Sequence, residues 1–130
     1  MAIKFEVSAV IPAFPEEIYK AWLDSKSHSQ MTGAKAKVSA KVGGRFEAWD
    51  GYIRGKNIEL IPSKKIVQSW RTSEFEESDP DSHVEIVLEP NKVSTKIILR
   101  HSHLPEHGMQ YKQGWLDSYF DPMKSYFGKK

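Results

Sequence analysis

Cysteine is absent from the 130 residues, which excludes a disulfide framework, thiolate catalysis and cysteine-ligated metal. No run approaches the ~18 apolar residues that a membrane-spanning helix needs. The opening residues, Met1-Ala2-Ile3-Lys4-Phe5-Glu6, mix charged and apolar side chains and show no signal-peptide core. A cytoplasmic protein with no membrane partner is expected. Charge of one sign is scarce as well: 19 Lys and Arg against 17 Asp and Glu leave a formal net charge of +2. Lys35, Lys37 and Lys41 are scattered along one segment. That pattern suits a solvated face and not a nucleic-acid footprint. A phosphate-cradling glycine loop, a nucleophile-elbow serine and a dinucleotide fingerprint are all missing. No catalytic residue and no cofactor is therefore assigned. Asp24, Glu47, Asp50 and Glu59 can still meet in space as acid–base pairs that a linear sequence does not display.

What is present is core-forming material. Hydrophobic residues make up 39% and aromatic residues 12%, enough to order one domain spanning residues 1–130. Ile3, Phe5, Val7, Ala9 and Ile11 alternate with Lys4, Glu6 and Ser8, the period of a half-buried strand. Pro12 ends it. Pro15 suits a first helical position, and Glu16 and Glu17 suit the first turn, so a helix is predicted to about Asp24. The polar stretch 25–33 can hold a second short helix.

From Ala34 to His103 the pattern is one of hairpins. Gly43-Gly44, Asp50-Gly51, Pro62-Ser63 and Pro90-Asn91-Lys92 are turn signals. They separate predicted strands at 35–41, 45–49, 52–61, 66–73, 82–89 and 93–103. Short connections imply antiparallel pairing. From His107 to Phe127, Met109, Tyr111, Trp115, Leu116, Tyr119, Phe120, Met123, Tyr126 and Phe127 recur at spacings dominated by three and four. They form the aromatic stripe of a helix roughly 30 Å long, interrupted or kinked at Pro122. Val84, Ile86 and Leu88 share one strand face, as do Ile97, Leu99 and His101, and Ile66, Gln68 and Trp70. The class is α+β, with an antiparallel sheet packed on the C-terminal helix.

Four blocks carry a resemblance. They are Gly43-Gly44-Arg45-Phe46 with Trp49 to Gly55 and Glu59-Leu60-Ile61-Pro62; Lys65 to Arg71; Thr95 to His101 with Leu104-Pro105; and Gln113-Gly114-Trp115 with Tyr119-Phe120. Together they resemble the C-terminal domain of the activator of the ninety-kilodalton heat-shock-protein ATPase. That family sits in the wider SRPBCC group with START and birch-pollen-allergen domains. The resemblance covers essentially the whole chain. It implies a helix-grip fold: a curved antiparallel sheet of six to seven strands around the C-terminal helix, two short helices after the first strand, and often an apolar cavity. Two departures stand out. The eukaryotic activator carries an additional N-terminal domain that these residues do not include, and Gln68 stands where the family more often has an apolar side chain.

The inward set is the candidate ligand site: Trp22, Phe46, Gln68, Trp70, Ile86, Leu88, Leu99, His101, Trp115, Tyr119 and Met123. Such a set is equally the ordinary core of the fold. His101 and Gln68 can orient a ligand or be satisfied internally. His101, His103 and His107 lack the carboxylate or cysteine that would complete a zinc site, so no metal is assigned. Residues 74–81 carry five acids. They form a solvated turn, or a docking tip through Glu76, Glu77 and Asp79. Trp49 reads as a structural residue beside the Asp50-Gly51 turn. A monomeric, non-enzymatic binding module for a small hydrophobic molecule is the first expectation. The alternative is a co-chaperone-like adaptor for the ninety-kilodalton chaperone in stress response. The third is an enzyme or resistance protein acting on an aromatic or polyketide-like compound through His101 or Gln68.

Overall fold

The computed structural model describes residues 3–128. β1 (Ile3–Ile11) leads into α1 (Pro15–Trp22) and α2 (Ser25–Thr32). β2 (Arg45–Ala48), β3 (Ile53–Ile61), β4 (Lys65–Thr72), β5 (Ser82–Asn91) and β6 (Ser94–Leu104) follow. The chain closes with a helix in four pieces: a 3-10 turn (Glu106–Met109), α3 (Gln110–Trp115), a π turn (Leu116–Phe120) and α4 (Asp121–Gly128). Among the described residues no helix is long and apolar enough to cross a membrane.

Local chemistry explains the helix ends. Pro15 occupies the first turn of α1, where the Phe14 N–H donates to the Glu17 carboxylate at 3.0 Å. Asp24 caps α2 by accepting the Ser27 N–H at 2.9 Å, and these bonds hold its carboxyl below the usual range. Gly33 ends α2 in the left-handed conformation, at φ 82°.

The sheet has the order β1-β6-β5-β4-β3-β2, all antiparallel. Strand alternation puts Val84, Ile86 and Leu88 of β5 and Ile97, Leu99 and His101 of β6 into the interior, as the sequence pattern predicts. Between Asn57 and Glu59 a bulge shifts the β3–β4 register and leaves Ile58 exposed. Gly55 lies opposite Phe46, and a Cβ there would meet the Phe46 ring at 2.6 Å and press on the Ser69 carbonyl oxygen. The aromatic ring takes the space that the glycine leaves.

The predicted strand at 35–41 does not form, so the sheet has six strands. Only Lys37 pairs, in a single bridge with Glu47 of β2. Two hydroxyls one turn apart on α2 claim the neighbouring amides: Ser29 Oγ accepts the Ala36 N–H at 2.8 Å, and Ser25 Oγ accepts the Val38 N–H at 2.9 Å. The segment is laced to a helix where a strand partner would be needed.

Pro122 does not break the C-terminal helix. Proline has no N–H to donate, and its ring crowds the carbonyl one turn earlier. The wide π turn just before it, in which the Asp121 N–H donates to the Leu116 carbonyl, makes that room. The helix thus continues through Pro122 and buries Tyr111, Trp115, Tyr119, Phe120, Met123 and Phe127 against the sheet.

Gly55 and Gly114 make a contrasting pair. Gly55→Ala is expected to lose about 2–3 kcal/mol in urea unfolding. In Gly114→Ala the added methyl meets nothing within 4 Å, and a helical Ala should gain about 0.5–1 kcal/mol.

Candidate functional site

An open cleft of about 330 Å³ lies between the β2–β3 turn, β4 and the C-terminal helix. The turn supplies Trp49 and Tyr52, the start of β3 supplies Ile53, β4 supplies Trp70, and the helix supplies Tyr111, Gly114, Trp115, Ser118 and Tyr119. The helical residues follow the spacing of one face. Trp115 packs 4.8 Å from Tyr119 and 5.7 Å from Trp70, and Trp70 meets Tyr111 edge-on at 4.9 Å. Trp22 stacks behind this wall, 5.0 Å from Tyr119.

Trp49 is held in a conformation that few bulky residues adopt. It and the next two residues, Asp50 and Gly51, have φ of 53°, 58° and 88°. A left-handed backbone at a non-glycine residue costs of order 1–3 kcal/mol. The Asp50 N–H donates to the Lys35 carbonyl at 3.0 Å, and the Tyr52 N–H to the Trp49 carbonyl at 3.1 Å, which fixes the turn.

Beneath the cleft a buried relay ties helix to sheet. The Trp115 indole N–H donates to His101 Nδ1 at 3.0 Å. That leaves the proton on Nε2, which donates to Ser82 Oγ at 2.8 Å. Ser82 Oγ then donates to the Trp70 carbonyl at 2.6 Å. Every polar atom of the His101 ring is used. Burial, with a smaller repulsion from His83, lowers the His101 pKa to about 3, so the ring is neutral.

A second buried histidine joins the other end. His28 Nδ1 donates to the Trp22 carbonyl at 2.8 Å, and its Nε2 accepts the Tyr119 hydroxyl at 3.0 Å. Burial lowers the His28 pKa, opposed by the Trp22 carbonyl, and raises that of Tyr119.

At the rim, Glu74 gathers three segments. Its Oε1 accepts from the Tyr52 hydroxyl, from Gln110 Nε2 at 2.9 Å and from the Tyr111 hydroxyl at 3.3 Å. The Tyr52 bond is the main reason its carboxyl sits below the usual range. Tyr111 also meets Thr72 Oγ1 at 2.7 Å.

All eleven sequence-predicted ligand residues are buried, but they do not converge. Trp70, Trp115 and Tyr119 line the cleft; Trp22 and His101 lie directly behind its wall. Ile86, Leu88, Leu99 and Met123 are core residues away from the lining. Phe46 packs against Gly55. Gln68 Nε2 donates to Asn57 Oδ1 at 2.9 Å, and Asn57 Nδ2 donates on to the Ser39 and Lys41 carbonyls. Sequence reading missed Trp49, Tyr52, Ile53, Tyr111, Gly114 and Ser118 as cleft residues. The helical spacing from Trp115 could have found the last three.

In the acidic tip, Arg71 organises the backbone. It donates to the Asp79 and Glu76 carbonyls and pairs with Asp81 at 2.8 Å. Asp79 Oδ2 accepts the Glu76 N–H at 3.0 Å, while the Glu76 and Glu77 side chains face solvent. Among the described residues no three His, Asp or Glu side chains converge as a metal site would need.

A six-stranded sheet curved around a C-terminal helix, with an aromatic cleft between them, is the helix-grip architecture of SRPBCC proteins. The chain belongs to the "Activator of Hsp90 ATPase homolog 1-like protein" family, whose model matches residues 12–128. The human "Activator of 90 kDa heat shock protein ATPase homolog 1" is 29% identical over 118 residues, which are 88% of this chain and 34% of that protein. The chain therefore spans about a third of the length of the curated relatives it matches. A crystal structure of an HSP90 activator from Plasmodium falciparum superposes with a TM-score of 0.87 at 26% identity, covering 97% of this chain and 96% of that one. Ara h 8.0201 shares the fold, with a TM-score of 0.77 at 14% identity over the full length of both chains.

The buried histidines set a pH dependence. Unfolded, both titrate near 6.5; folded, both pKa values are lower. Below pH 6.5 the unfolded chain takes up protons that the native chain refuses. Stability is thus full above about pH 6.5 and is lost as pH falls toward the folded values. Urea unfolding between pH 6.5 and 4.5 should show stability falling with pH, with His101 contributing a slope approaching about 1.4 kcal/mol per unit that is absent in His101→Gln.

Proposed function

We propose that the chain is a non-enzymatic binding module that holds a small, flat, apolar molecule in the cleft between the β2–β3 turn and the C-terminal helix. The observation that carries this reading is an aromatic cleft left open on a helix that could have closed it. Gly114 sits in its lining with open space where a side chain would project. Three indoles and three phenols surround that space, one of them held in a strained turn. At about 330 Å³ the cleft is at the small end of ligand pockets, suited to a molecule of two or three fused rings. The polar groups best placed for chemistry, His101 and Gln68, are committed to bonds within the fold, which supports binding over turnover. Tryptophan fluorescence titrated with 2-naphthol should show saturable quenching. Gly114→Phe, which fills the cleft, should abolish it without lowering the melting temperature. Quenching that does not saturate, or that survives Gly114→Phe, would sink this reading.

A second reading is docking on the ninety-kilodalton heat-shock ATPase in stress response. It is favoured by the Plasmodium structure, described as an HSP90 activator and matched along 96% of its own length, so a chain of this extent carries that description. The solvent-facing carboxylates of Glu76 and Glu77 are the candidate contacts, with Asp79 shaping the tip. Binding to the purified chaperone at low salt should weaken about tenfold in Glu76→Lys/Glu77→Lys. Equal affinity of the variant and the wild type would remove the tip from the interface.

A further inference from the structure

The outer face of the sheet treats its charges differently at its two ends. Across β1, β6, β5, β4 and β3 they are joined in one chain. Arg100 pairs with Glu6 at 2.8 Å and Glu85 at 3.1 Å, and Lys65 pairs with Glu85 at 3.0 Å and Glu59 at 3.5 Å. Over β2, β3 and β4 the pairing stops. Arg45 stands directly opposite Lys56, and Arg54 lies between Arg71 on β4 and Glu47 on β2, each directly opposite it. Like charges facing across a sheet destabilise it. Among the described residues none of Lys37, Arg45, Arg54 and Lys56 has a carboxylate within 4.0 Å. Glu47 lies among them and forms no ion pair by that measure, while Arg71 keeps Asp81.

These residues line a groove of about 780 Å³, walled by Lys37 and Val38 where that segment bridges β2. We propose that this groove is a docking site for an acidic polypeptide segment in extended conformation. The dimensions match. Cations two residues apart on a strand are about 6.6 Å apart, the same repeat as alternate side chains of an extended peptide. Lys37, Arg45, Arg54, Lys56 and Arg71 outnumber Glu47 and Asp81 in the lining, and this excess of positive charge supplies the attraction. The interleaved Glu47 and Asp81 favour a peptide over a continuous polyanion, because a nucleic-acid backbone would bring phosphates against both carboxylates. No exposed aromatic lies in the groove to stack a base. The site faces away from the aromatic cleft, with which it shares no lining residue, and does not depend on the reading of that cleft.

The test is an amide NMR titration at low salt with a peptide of alternating glutamate and glycine. Saturable shifts at residues 45–47 and 54–56 are expected. Arg45→Glu/Arg54→Glu should weaken binding about tenfold, whereas Lys96→Glu, at the far end of the same face, should leave it unchanged. Arg45→Thr should weaken binding and also raise the melting temperature at low salt, by relieving its repulsion with Lys56 directly opposite. A groove that serves only the fold would not show that opposition. Three results would overturn the proposal: shifts confined to other surfaces, a charge-reversed variant that binds as wild type, or oligothymidylate displacing the peptide at lower concentration.

Discussion

The hydrogen bond from the Trp115 indole to His101 fixes how the C-terminal helix sits in the sheet. A helix carrying so wide an apolar stripe could rotate or slide and still bury comparable area, since burial alone is not directional. One buried N–H that must find one acceptor removes that freedom. The His101 ring can accept only on Nδ1 because Ser82 takes its other nitrogen, and Ser82 is itself bound to the Trp70 carbonyl. The relay runs from the helix through β6 and β5 to β4 with no polar atom left over. At the other end Tyr119 is held by His28. With Trp115 and Tyr119 pinned, the positions of Tyr111, Gly114 and Ser118 follow from helical geometry. The cleft wall is thereby set.

The opposite wall has its own fastening. Glu74 reaches from the β4–β5 turn to Tyr52 on the β2–β3 turn and to Tyr111 and Gln110 on the helix. Three segments distant in sequence close around one carboxylate. It holds the rim without filling the mouth, and the left-handed turn at Trp49 keeps an indole facing that space.

Much of this was legible from periodicity. Alternation along β5 and β6 and the helical stripe named the inward residues, and the four blocks of resemblance named the family and its helix-grip fold. What escaped sequence reading depends on long-range partners. Residues 35–41 alternate like a strand, but the hydroxyls of Ser25 and Ser29 take their amides. Pro122 looks like a helix break, but a π turn absorbs it. His28 lies in a stretch that reads as merely polar, and only the tertiary fold puts Tyr119 beside it. Gln68 and Asn57 are 11 residues apart across a bulged hairpin, a partnership that no spacing rule announces. The acidic stretch 74–81 reads as one feature, but Glu74 joins the cleft rim while Asp79 and Asp81 serve Arg71.

The brevity of β2 bears on how copies of this chain behave at high concentration. A sheet's outermost strand is a template for further strands, and long bare margins invite runaway stacking into fibrils. Here that margin offers only four residues, with Arg45 and Glu47 projecting from them, and the Lys37 bridge already occupies part of it. At this margin, in contrast to the nine-residue β1 on the other side of the sheet, a neighbouring copy finds too few free amides in a row to extend the ladder. The lacing of residues 36–38 to α2, which costs the sheet a seventh strand, also guards this margin against polymerisation.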